Sequence, residues 1–71
     1  MGVGAMNLTW VDFHNIAMEL VEKFPETDPK TVRFTDLHQW VLELENFSDD
    51  PNQSNEKILE TIILCWMDER N

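Results

Sequence analysis

Hydrophobic residues recur along this chain at helical spacing, in three stretches separated by turn-forming residues. The first stripe is Trp10, Phe13, Ala17, Leu20, Val21 and Phe24, which fall on one face of a helix. Thr9 is a suitable N-cap, Asp12 follows three positions later, and Pro25 ends the segment after Phe24. Asp12, Asn15, Glu19 and Glu22 occupy another face and read as solvated surface. Pro25 to Pro29 is a turn, and Asp28-Pro29 has the form of an N-cap followed by proline at the first position of a short helical turn. Val32, Arg33 and Phe34 predict a brief extended piece.

Thr35 reads as the cap of a second helix whose stripe is Leu37, Trp40, Val41 and Leu44, with Phe47 extending it. A polar loop runs from Ser48 to Gln53, and Ser54 reads as the cap of the last helix. Its core positions are Ile58, Leu59, Ile62, Ile63 and Trp66, with Cys65 beside them. The pattern predicts a mainly α domain of three principal helices and a short extended segment. Trp10, Trp40 and Trp66 each lie on an apolar stripe and are expected to meet in one core.

A 71-residue chain buries only about 60% of the surface its unfolded state exposes, so stability is modest. Cys65 is the only cysteine, which rules out an intrachain disulfide and a multi-cysteine metal site and suits a reducing compartment. That cysteine reads as packing. No apolar run is long enough to span a bilayer, and no basic region leads into an apolar one, so a cytoplasmic location is expected. Residues 1–5 read as a disordered extension or a cloning remnant, and residues 6–71 as the domain.

Fourteen Asp and Glu against five Lys and Arg give a formal net charge of -9. Such a surface repels a phosphate backbone, so nucleic acid is not an expected partner, and a basic protein surface is the natural complement. Catalysis is not expected either. His14 and His38 are the only histidines, and neither has a nucleophile beside it in the sequence. From Phe34 to Glu56 there is no Lys or Arg, while Asp36, Glu43, Glu45, Asp49, Asp50 and Glu56 all occur. The loop does not fit a calcium-binding helix-loop-helix, because counting from Asp49 the third position is Pro51 and the sixth is not glycine. Open clusters of carboxylates hold hard or borderline cations weakly.

Four blocks carry more specific information. They are Asp28-Pro-Lys-Thr-Val-Arg-Phe-Thr-Asp-Leu-His-Gln-Trp40, Asp49-Asp-Pro51, Ser54-Asn-Glu-Lys-Ile-Leu-Glu60 and Trp66-Met-Asp-Glu69. In order and composition the chain resembles the IscX family of small acidic iron-sulfur cluster assembly proteins, from about Leu8 to Glu69. The resemblance implies a modified winged-helix-like domain. It also implies an adaptor that binds the cysteine desulfurase, associates weakly with iron and competes with frataxin, or alternatively an iron donor to the same machinery. Carried onto this chain, the metal candidates are Glu45, Asp49 and Asp50, and the partner-binding candidates are Asp36, Glu43, Glu56, Glu60, Asp68 and Glu69. Glu19, Glu22 and Glu26 lie outside the four blocks, and Arg33 within them reads as an internal ion-pair partner. Because their loop is polar, Asp49 and Asp50 are expected to tolerate charge reversal without loss of fold.

Overall fold

The structure, a computed structural model, describes residues 7–70. Residues 1–5, expected to be an extension, lie outside the described residues. Three helices form the body: α1 Phe13–Lys23, α2 Phe34–Leu42 and α3 Glu56–Arg70. Single 3-10 turns at Pro29–Thr31 and Pro51–Gln53 punctuate the two connections. The mainly α architecture with three helices is the one the periodicity predicts.

α3 is the spine. α1 packs along it most extensively, and α2 and the Pro29–Thr31 turn also lie against it. The core comprises Leu8, Trp10, Ile16, Ala17, Leu20, Leu37, Val41, Leu44, Leu59, Ile62 and Trp66. Phe13, Val21, Phe24, Trp40, Phe47, Ile58, Ile63 and Cys65 are half-buried around it. Cys65 thus packs as its position in the stripe implied. Ile16, absent from the predicted stripe, is fully buried, as is expected of a residue four positions before Leu20 on the same helix.

Each helix starts later or earlier than its capping residues suggest, for a local reason. Thr9 does not cap α1. Its N–H and hydroxyl both donate to Asp12 Oδ2, at 2.8 and 3.1 Å, and the Asp12 N–H donates to the Thr9 carbonyl at 3.0 Å. The reciprocal bonds close a turn ahead of the helix, and Asp12, with ψ of 57°, sits outside helical geometry. Trp10 is therefore buried from that turn and not from the helix. The end of α1 does follow the prediction: Phe24 N–H still reaches Leu20 O at 2.8 Å, and Pro25 stops the helix.

α2 begins at Phe34, so Thr35 lies inside it, and extended Arg33 holds the cap position without a side-chain cap bond. Val32 and Arg33 are extended as expected, but Phe34 is already helical and neither extended residue joins a strand; the described residues contain one isolated bridge, between Leu8 and Phe47, and no strand. α2 ends at Leu42, short of the expected Leu44, because Glu43 N–H is shared among the Gln39, Trp40 and Val41 carbonyls and the last turn tightens. Leu44 remains buried.

For α3 the cap is Asn55, one residue after Ser54: Asn55 Oδ1 accepts from Ile58 N–H at 2.9 Å. Replacing Asn55 with Ala is expected to cost about 1 kcal/mol, while Ser54→Ala costs a few tenths at most. Paired urea melts of the two variants check the assignment, and equal losses would contradict it. Asp28 and Asp50 cap the two 3-10 turns through Lys30 N–H and Asn52 N–H. The former matches the Asp-Pro reading; the turn at Pro51–Gln53 was not expected inside the polar loop.

The three tryptophans share one core, as the stripes predict, with Trp10 and Trp66 inside it and Trp40 packed against it, but their rings fall into two aromatic groups. Trp40 and Trp66 are edge-to-face at 6.3 Å, with Phe24 stacked on Trp40 at 4.4 Å. Trp10 forms a separate aromatic group with Phe47 at 4.7 Å and His38 at 5.2 Å. The turn before α1 carries Trp10 away from the face that Phe24 shares with the other two, so within the single core its ring packs with Phe47 and His38 instead.

Candidate functional site

The acidic loop is fastened to the N-terminal segment at four places. Leu8 N–H donates to Asn46 O at 2.7 Å, and Ser48 N–H to Leu8 O at 2.9 Å. Trp10 N–H then donates to Asp49 Oδ2 at 3.1 Å, and the Trp10 indole N–H to Asp50 O at 2.7 Å. His38, whose ring lies nearly parallel to Trp10, places Nε2 2.9 Å from Pro51 O. A carbonyl only accepts, so this bond requires the proton on Nε2. His38 thus serves as a clamp on the loop.

Two of the metal candidates lie in that loop and are already engaged. Asp49 uses Oδ2 on Trp10 N–H and Oδ1 on Asp50 N–H, at 3.1 and 2.7 Å. Asp50 Oδ1 accepts from Asn52 N–H at 2.9 Å. The third candidate, Glu45, is elsewhere. It lines a shallow depression of about 450 Å³ with Glu19, Glu22, Lys23 and Leu44, where Asn46 Nδ2 donates to Glu19 Oε2 at 2.9 Å. The fold thus joins Glu45 to the α1 carboxylates that lie outside the four sequence blocks. Among the described residues, no three His, Cys, Asp or Glu side chains are arranged to hold a metal ion. The residues present do not fit a chelating cage.

The partner-binding candidates spread over two helices. Asp36 is exposed in the first turn of α2, where its charge favours the helix dipole. Glu43, at the end of α2, accepts from Gln39 Nε2 at 3.0 Å. Glu56, Glu60 and Asp68 are exposed on α3. Glu69 is instead turned toward α1, where its Oε2 lies 3.1 Å from His14 Nδ1. Glu26 is exposed in the turn after α1. Arg33, expected in an internal ion pair, is exposed and forms none among the described residues; Arg70 is the arginine that approaches a carboxylate, Asp28, at 3.9 Å. The extended backbone at Arg33 points its side chain away from the core, and at that exposure an ion pair would contribute little.

The sequence of residues 8–71 matches the model of the family described as iron-sulphur cluster assembly. The chain belongs to that family. An uncharacterized protein of Pseudomonas aeruginosa is 52% identical over 66 residues, covering 93% of this chain and all of the relative. The family match spans all three helices, the capped 3-10 turns and the loop clamped by Trp10 and His38. It bears out the IscX-type resemblance and assigns the chain to iron-sulphur cluster assembly. No helix among the described residues is long and apolar enough to cross a membrane.

Proposed function

We propose that this protein is a non-catalytic acidic adaptor that regulates iron-sulphur cluster assembly by docking on a basic surface of the cysteine desulfurase, in the cytoplasm. The observation that carries the reading is the joining of family membership over residues 8–71 to a net charge of -9. An uncompensated carboxylate surface gains most from a cationic partner, which it also attracts over distance. Asp36, Glu43, Glu56, Glu60 and Asp68 supply the docking charges, with Glu69 held by His14.

The alternative, delivery of iron, is less well supported. Asp49 has both oxygens occupied by backbone N–H groups, and Glu45 lines a depression with Glu19 and Glu22 that Asp49 does not line. In the adaptor reading iron is cargo of the machinery that associates weakly with single exposed carboxylates, and no step of regulation passes through it.

Calorimetric titration of the desulfurase with metal-free protein tests the proposal. Binding is expected without iron, with affinity falling steeply between low and high salt and reduced by saturating frataxin, which competes for the same basic surface. Affinity that is unchanged by salt, or that appears only after iron is added, would sink the adaptor reading.

A further inference from the structure

Among the described residues four large hydrophobic side chains are exposed: Val11, Met18, Phe34 and Leu64. Val11 lies in the turn before α1. Met18 has His14 one turn before it and Glu22 one turn after, and Phe34 is at the first position of α2 with His38 one turn on. Leu64 differs from all three. It is 58% exposed at mid-length of the longest helix, with Glu60 four residues before it and Asp68 four residues after. Residues at that spacing share one ridge, so the two carboxylates border the leucine on both sides along the helix axis. Leu59, Ile62 and Trp66 on the opposite face supply what α3 buries, and Leu64 contributes nothing to the core. The nearest cation on the ridge is Lys57, two turns away toward the N-terminus.

We propose that Leu64 is the apolar anchor of the docking surface, seated on a small apolar spot ringed by Lys or Arg on the desulfurase. This rests on the adaptor reading above and assigns that reading a centre. Charge complementarity defines the occupant: a leucine bordered by Glu60 and Asp68 is covered most favourably by a surface that presents cations to either side of an apolar contact. The two kinds of residue then divide the work. Glu60 and Asp68 accelerate encounter and set the salt dependence. Leu64, desolvated once the surfaces meet, holds the complex together and sets its lifetime.

The test measures association and dissociation rates on the desulfurase at several salt concentrations for wild type, Leu64→Ala and the double variant Glu60→Gln with Asp68→Asn. Leu64→Ala is expected to weaken binding tenfold or more through faster dissociation, with the salt slope unchanged. The double variant is expected to associate more slowly with a shallower salt slope, its dissociation rate within about twofold of wild type. Both variants alter exposed helix positions and should melt with wild type; a thermal scan confirms it. Salt-dependent binding of wild type together with a Leu64→Ala affinity within about twofold of it overturns the anchor while leaving the adaptor standing. Failure of wild type itself to bind overturns the adaptor, and the anchor with it.

Discussion

Replacing Trp66 with Ala is expected to remove the cooperative unfolding transition altogether. Trp66 is fully buried at the middle of α3, edge-to-face with Trp40 and 6.5 Å from Phe24, so it joins α3 to both other helices. Truncating such a side chain removes its transfer energy and leaves a cavity, for a loss of about 3–5 kcal/mol. A single core in a domain of this size supplies about 3–5 kcal/mol in total, so the loss is comparable to the whole. Trp66→Phe separates packing from polarity. Among the described residues no oxygen accepts from Trp66 Nε1, so the phenyl ring gives up volume without breaking a hydrogen bond and is expected to cost about 1–2 kcal/mol. Trp10→Phe costs more than its volume alone, because the indole N–H bond to Asp50 O goes with it. Urea melts followed by circular dichroism check the series. A Trp66→Ala variant with a wild-type midpoint would contradict the assignment.

Asp49 is expected to behave as a structural residue and not as interchangeable surface charge. Its side chain holds Trp10 N–H across 39 residues of sequence and also its own loop at Asp50 N–H. Loss of a charged acceptor from partly buried N–H groups costs about 1–3 kcal/mol, and a lysine there adds a cation against the same donors. Asp49→Lys therefore destabilises the fold, contrary to what the polar character of the loop suggests. Glu60→Lys, on the exposed ridge of α3, stays within about 0.5 kcal/mol of wild type. Amide exchange at Trp10 gives a second, local readout, with faster exchange expected in Asp49→Ala. Unchanged protection at Trp10 together with an unchanged melting point would exclude the clamp. One consequence concerns interface mapping: charge reversal at Asp49 would confound folding with binding, whereas Glu60 and Asp68 are clean probes.

The helices were legible because helical periodicity is a local property. Leu37, Trp40, Val41 and Leu44 declare a buried face by spacing alone, and all four pack on or within the core. The starts of α1 and α3 differ from the expected ones because more than one polar residue competes to cap each, and α2 starts early with no side-chain cap at all. Asn55 Oδ1 caps α3 through Ile58 N–H in place of Ser54, and Asp12 Oδ2 holds Thr9 in a turn ahead of α1, pairings that composition does not encode.

The surface divides along the same line. The acidic balance, the stretch from Phe34 to Glu56 without a cation, the single cysteine and the family blocks are facts of the sequence, and they carry the assignment to iron-sulphur cluster assembly. Which carboxylates are free to act is not. Asp49 and Asp50, metal candidates by resemblance, sit in a loop that reads as freely solvated, yet Trp10 and His38 bind that loop to the body of the protein. Glu45, the third metal candidate, lines a depression with Glu19 and Glu22. The sequence by itself determined three amphipathic helices, a strongly negative surface and the family. The tertiary structure alone decided that the tryptophan rings form two aromatic groups within one core, that Asp49 bonds Trp10 N–H, and that Leu64 stands exposed between Glu60 and Asp68. The physical reason is range: periodicity and charge act within a few residues of chain, whereas a hydrogen bond between positions 10 and 49 exists only after the chain has folded.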